Sequence, residues 1–134
     1  MFVDEIHFHR RRGLPRWERI GHPVDTLSVL ICYCVALTQR PNNTALALYA
    51  GLATLSCVLI TKDELVHSRR CVPAEQWLHA LLFILHPIVL GAAAVLWFQH
   101  KTTVLAVQTV LTLSFGCYQL LYWNVPWIRQ SGAR

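Results

Sequence analysis

Four long apolar segments most constrain how this chain can fold. They cover about residues 24–38, 44–61, 75–98 and 102–123, and short polar stretches separate them. Only 14% of the residues are charged, against roughly 25% in an ordinary soluble domain. About 20 apolar residues in helical form cross a bilayer. We therefore predict a single domain, residues 1–134, that is an all-α integral membrane protein with four transmembrane helices.

The arginines and lysines predict the orientation of this domain. Cytoplasmic segments of membrane proteins carry an excess of these residues. If both termini lie in the cytoplasm, ten of the twelve fall on that side and only Arg40 and Lys101 fall outside. The ten are Arg10, Arg11, Arg12, Arg16, Arg19, Lys62, Arg69, Arg70, Arg129 and Arg134. Short connections near residues 40–43 and 99–102 then predict an up-down four-helix bundle.

Residues 1–22 form a basic, histidine-rich arm with interleaved aromatic residues and no apolar core of a secretory signal. We interpret the arm as an interfacial segment that binds anionic membrane lipids, which explain the net charge of +5 without a nucleic-acid partner. The five cysteines form no CxxC motif, so we expect no disulfide framework. In the second segment, Ala47 and Gly51 have the spacing that suits close helix contact.

The segment from Asp63 to His86 is the candidate functional site. In the predicted topology all seven acidic residues of the chain lie on the cytoplasmic side, and none follows Glu75. Glu75 and His79 are four residues apart and His86 follows seven later, so all three share one face of a helix. If the second helix continues past the membrane, Glu64 and His67 form an ExxH pair and Asp63 shares their face.

Carboxylates and imidazoles on adjacent helices are how bundle proteins hold iron, manganese or zinc. The predicted metal ligands are Asp63, Glu64, His67, Glu75 and His79, with Asp25 and His22 as further ligands or their hydrogen-bond partners. Iron, as one ion or a di-iron centre, is the expected cofactor, with manganese, zinc or haem b as alternatives. One ExxH pair is fewer than ferritin-like bundles use, so the pattern indicates no family.

This pattern favours a membrane-embedded metal-dependent oxidoreductase that acts on a lipidic substrate at the cytoplasmic face. His86, Tyr118 and Tyr122 are the predicted catalytic residues, lining a pocket that opens into the bilayer. A soluble cytoplasmic protein would donate the electrons. The bacterial inner membrane is the simplest location for such a short, sparsely looped chain.

The same residues have structural interpretations. Asp63, Glu64 and the neighbouring arginines fit a solvated loop, and Glu75 fits the positive end of a helix dipole. His86 could be a neutral histidine bonded to a neighbouring backbone or to Tyr118. Two other functions follow from these interpretations: a non-catalytic small subunit that anchors a larger membrane complex, and a b-type haem or quinone-binding membrane subunit.

Overall fold

The structure, a computed structural model, describes residues 16–63 and 73–125, and this part of the chain is helical throughout apart from short turns. The elements are α1 (Arg16–Thr38), α2 (Asn43–Ile60), a 3-10 turn (Thr61–Asp63), α3 (Pro73–Phe98) and α4 (Thr102–Asn124). All four helices are long and apolar enough to cross a membrane. The prediction of an all-α chain with four such helices is confirmed.

Helix α1 begins at Arg16, well before the apolar segment predicted from residue 24. An apolar pattern marks the part of a helix that can lie in lipid, and polar turns that precede it carry no such signal. The last residues assigned to the N-terminal arm are therefore helical. Pro23 lies inside α1, where it removes one backbone hydrogen bond.

Side-chain contacts between the helices show that neighbouring helices are antiparallel. Along each pair of helices, residue numbers rise on one helix as they fall on the other. The contacts are Asp25–Lys62 and Ser28–Ser56 between α1 and α2, Tyr49–Leu90 and Ser56–His86 between α2 and α3, and Thr26–Gln119 and Tyr33–Gln108 between α1 and α4. The helices therefore run up-down-up-down, and α1 and α3 are parallel.

Two tight turns lie at one end of the bundle, which we call the turn end. Asn42 caps α2, where its side chain accepts a hydrogen bond from the backbone N–H of Ala45 at 2.9 Å. After α3, His100 has a positive φ of 56°. The N–H groups of His100 and Lys101 bond back to α3 in the pattern that closes many helices, with His100 in the position that glycine usually occupies.

The core near the turn end is apolar and aromatic. Tyr49 and Trp97 have ring centroids 5.6 Å apart, and both are buried. Their polar atoms bond to backbone: the Tyr49 hydroxyl to the Leu90 carbonyl at 2.7 Å, and the Trp97 indole N–H to the Gln39 carbonyl at 2.8 Å. Every side-chain polar atom of this aromatic pair therefore has a partner, as a low-dielectric interior requires.

The outer surface of the bundle is apolar. In α2 and α3, only 17% of the most apolar window is buried inside the protein, which leaves large side chains such as Val58 and Ile88 exposed. Ala47 and Gly51 are exposed too, and a side chain added at Gly51 would meet no atom within 4 Å. The close helix contact that their spacing suggested is not made within the described bundle.

Gly116 allows α4 to approach α1, and this gives a first prediction. A Cβ atom at this position would lie 3.0 Å from Cγ2 of Thr26. Thr26 is buried and its hydroxyl bonds to Gln119 at 2.8 Å, so it cannot turn aside freely. We expect Gly116→Ala to destabilise the folded protein by roughly 1–3 kcal/mol, measured as a lower midpoint of thermal unfolding in detergent.

Gly51→Ala and Gly91→Ala are the matched controls, because nothing lies within 4 Å of either new methyl group. Alanine favours a helix over glycine by about 1 kcal/mol, so both controls should unfold at or above the wild-type midpoint. A Gly116→Ala midpoint equal to theirs would contradict the close approach.

Candidate functional site

The buried polar side chains are concentrated in the half of the bundle opposite the turn end. We call this region the Lys62 end, because α2 finishes there and α3 begins there. The buried polar or charged residues of the described chain are Asp25, Thr26, Ser56, His79 and Gln119. They come from all four helices, so the polar interior is a product of the packed bundle.

Asp25 and Lys62 form an ion pair at this end. The ammonium group of Lys62 lies 2.6 Å from Oδ1 and 2.7 Å from Oδ2 of Asp25. The Asp25 side chain is only 9% exposed, whereas that of Lys62 is 32% exposed. A buried carboxylate needs a hydrogen-bonded partner, and the long lysine stem can supply one while its charge stays near the surface. Asp25 was predicted from the sequence to lie near a metal, and its pairing with Lys62 was not predicted.

A chain of hydrogen bonds joins α1, α2 and α3 beside the ion pair. The Ser28 hydroxyl donates to the Asp25 carbonyl at 2.7 Å. Ser28 Oγ and Ser56 Oγ are also 2.7 Å apart, and Ser56 Oγ lies 2.8 Å from Nε2 of His86. The structural interpretation of His86 gave it a backbone group or Tyr118 as partner. In this contact its partner is instead Ser56, on α2.

Helix α4 joins this polar interior through Gln119. Its side-chain oxygen accepts a hydrogen bond from the Thr26 hydroxyl at 2.8 Å, and both residues are 2% exposed. An isolated amide or hydroxyl in hydrocarbon would cost several kcal/mol, so each group is stabilised by the other. The pair links α1 to α4 at the height where Gly116 brings the two helices together.

His22 and His79 lie at a similar height near the Lys62 end. Ser28 and His86 are level, because both contact Ser56. At about 1.5 Å per residue, His22 is roughly 9 Å and His79 roughly 10 Å closer to the Lys62 end than this level. The Nε2 atoms of both rings are enclosed within the protein. Two imidazoles on parallel helices therefore face the interior at one depth.

The predicted metal ligands fall mostly outside the described side chains. Glu64 and His67 belong to residues 64–72, which the structure does not describe, and the side chains of Asp63 and Glu75 are also outside it. Asp63 ends a 3-10 turn, so the α-helical spacing used to pair it with His67 does not hold at Asp63. Only His79 is placed, and it is buried.

No group of three or more histidine, cysteine, aspartate or glutamate side chains that could hold a metal occurs among the described residues. His22, Asp25 and His79 therefore do not form such a group by themselves. Since four of the five predicted ligands have undescribed side chains, the metal site stays a prediction.

The predicted catalytic tyrosines form an aromatic ladder along α4. The rings of Tyr118 and Tyr122 stack at 5.3 Å, Phe115 stacks on Tyr118 at 6.2 Å, and Trp123 meets Tyr122 edge-on at 5.0 Å. Both tyrosines are half-buried. His86, the third predicted catalytic residue, is also half-buried but bonds to α2.

Comparisons with protein-family models, with curated proteins and with solved structures give no match for this chain. The described structure by itself defines the class of protein: a four-helix bundle of membrane-spanning length and composition. Its distinguishing feature is a group of buried, hydrogen-bonded polar side chains concentrated in one half of the bundle.

Ser56 is the centre of the hydrogen-bond chain, and this gives a second prediction. Ser56 is 0% exposed, so Ser56→Ala would remove the described hydrogen-bond partner of His86 and leave Ser28 with only its bond to the Asp25 carbonyl. We expect a loss of roughly 1–3 kcal/mol in unfolding free energy, measured by thermal or denaturant unfolding in detergent. Ser114→Ala is the matched control, because Ser114 is exposed and bonds only to its own helix. Equal stability of the two variants would contradict a structural role for the chain.

Proposed function

We propose that this protein is a membrane-embedded, metal-dependent oxidoreductase that acts on a lipidic substrate at the Lys62 end of the bundle. Iron is the metal we propose first. The observation that supports the proposal best is the enclosure of the His22 and His79 imidazoles at one depth, beside the Asp25–Lys62 ion pair. Histidine and carboxylate ligands on adjacent helices suit iron.

The order of the chain brings the remaining proposed ligands to the same end. Residues 64–72 connect the end of the 3-10 turn with the start of α3, and they contain Glu64 and His67. Glu75 lies one helical turn before His79. A site assembled from these residues would have its metal near the membrane surface, within reach of a soluble electron donor.

The substrate would enter from the lipid. The outer faces of α2 and α3 expose many large apolar side chains, against which a lipidic substrate can pack. His86 and the tyrosines Tyr118 and Tyr122 would line its path from the membrane interior. The metal would supply the redox chemistry, and open coordination positions on it would be needed for the reaction.

We further propose that both termini and the Lys62 end face the cytoplasm, in the inner membrane of a bacterium. Arg40 and Lys101, the two cations predicted to lie outside, are both exposed and belong to the short turns of the turn end. The other ten cations precede α1, lie in its first turn, follow α4 or belong to the stretch between α2 and α3. This distribution supports the positive-inside orientation.

Cysteine labelling in intact bacterial cells tests the orientation. In a variant that lacks the native cysteines, Lys101→Cys should react with a membrane-impermeant maleimide added to whole cells. Ser131→Cys, in the C-terminal tail, should react only after the membrane is permeabilised. The reverse pattern would contradict the proposed orientation.

Metal analysis of the purified protein tests the proposed activity. We expect about one or two iron ions per chain, with the iron content falling at least about tenfold in Glu75→Ala and His79→Ala, because each removes a ligand. His100→Ala, at the turn end, is the matched control and should keep the iron. Thermal unfolding of all variants shows whether lost iron reflects a lost ligand or a lost fold.

A second function is favoured by the way the polar groups of the interior satisfy one another. Two pairs of polar side chains, Asp25 with Lys62 and Thr26 with Gln119, are satisfied by each other and need no ligand. On α2, the small residues Ala47 and Gly51 are exposed, where another helix could pack closely. Both features suit a non-catalytic subunit of a larger membrane complex.

Two results would favour this function over the enzyme. The wild-type protein would contain no stoichiometric metal, and a folded His79→Ala variant would still co-purify with the same membrane partners. A haem absorbance band would favour the b-type haem alternative.

A further inference from the structure

We infer that His86 is a binding residue for the hydroxyl group of a long, weakly polar lipid, such as an isoprenoid alcohol, and that its Nδ1 atom accepts the hydrogen bond. The lipidic nature of the ligand rests on the proposed function, which it narrows to one class of compound. Binding through His86 does not require the metal.

The hydrogen-bond chain determines which nitrogen of His86 carries a proton. A carbonyl can only accept, so the single Ser28 proton is used in the bond to the Asp25 carbonyl. Ser56 must then donate to Ser28, and it has no second proton for His86. His86 Nε2 is therefore protonated and donates to Ser56 at 2.8 Å. In the neutral ring, Nδ1 is left as an acceptor.

The Nδ1 atom is open to a ligand. His86 is half-buried, and Ser56 is its hydrogen-bond partner in the described chain. Around His86, α3 exposes the apolar side chains Ile84, Leu85 and Ile88, so a lipid chain can lie against this part of the helix.

Pro87 places a second acceptor close to His86. Proline has no N–H group, so the carbonyl of Phe83, four residues earlier, lacks its usual helical donor. Phe83 and His86 are one turn apart on α3. In hydrocarbon, an acceptor without a donor is costly. A hydroxyl that donates to either atom would remove part of this cost, so the site favours a donor over an acceptor.

The depth of His86 selects the class of ligand. His86 is the eleventh residue of the 23-residue apolar stretch Gln76–Phe98, which places it roughly 15 Å from Gln76 along the helix. A bilayer core is about 30 Å thick, so His86 lies near its middle. Phospholipid headgroups stay at the surface, whereas a long isoprenoid alcohol carries a single hydroxyl on an otherwise apolar chain that can lie at this depth.

Farnesol and farnesyl methyl ether test the inference, because they differ in the presence of the O–H donor. We would add each to the protein in lipid nanodiscs and measure binding with radiolabelled compound and by ¹⁵N NMR of labelled histidines. We expect farnesol to bind more tightly than its ether by roughly threefold to tenfold, the effect of one neutral hydrogen bond. The Nδ1 resonance of His86 should move with farnesol and stay in place with the ether.

His86→Gln is the informative variant. The glutamine amide can still donate to Ser56 through its NH2 group, which preserves the contact between α2 and α3, while its acceptor oxygen does not occupy the position of Nδ1. We expect this variant to unfold near the wild-type midpoint and to show a smaller preference for farnesol over its ether than the wild type does. His100→Gln, at the turn end, is the matched control and should retain the preference for farnesol.

Three results would overturn the inference: no difference between farnesol and its ether in the wild type, an undiminished preference in His86→Gln, or an NMR spectrum in which Nδ1 rather than Nε2 carries the proton. These results are separate from those of the metal analysis. If His79→Ala loses iron and the wild type shows no preference for farnesol, the results support the proposed enzyme and reject this ligand. If the wild type binds no iron but prefers farnesol, the results support this ligand and reject the proposed enzyme.

Discussion

The arrangement of the polar interior depends on the hydrogen bonds that join Ser56 to Ser28 on α1 and to His86 on α3. A single buried hydroxyl sets the relative heights of three helices, because Ser28 and His86 must both reach it. Hydrophobic packing alone permits helices to slide in a membrane, since lipid and apolar side chains are similar surroundings. Hydrogen bonds with fixed partners do not permit it. The depths of His22 and His79 follow from this alignment.

The fold was largely predictable because it depends on hydropathy. Four apolar segments, each long enough to cross a bilayer, predict four helices, and the structure places three of their starts within about two residues of the predicted ones. The start of α1 was missed because its first turns are polar. The outward position of Ala47 and Gly51 was missed because the spacing of small residues indicates a close-contact surface without saying which helix, if any, covers it.

The partners within the polar interior were not predictable in the same way. Lys62 could have been suggested as the partner of Asp25, because they are opposite charges near the same end of neighbouring antiparallel helices. Ser56 carries no such signal: a serine in an apolar helix usually bonds to its own backbone, as Ser114 does. Which serine faces a neighbouring helix depends on helix rotation, which hydropathy does not specify. The proposed ligands Glu64 and His67 lie outside the described residues.

The bond from Ser28 to the Asp25 carbonyl of its own helix also prevents proton transfer along the chain of hydrogen bonds. Proton transfer along a hydrogen-bonded chain requires each oxygen to accept a proton from one neighbour and to donate a proton to the next. Here the last acceptor is the Asp25 carbonyl, which has no proton to release. The three side chains therefore form a line of dipoles that point in one direction and stop. Such a line holds one tautomer of His86 in place and does not conduct protons, so any proton exchange with the surrounding water would have to use other groups.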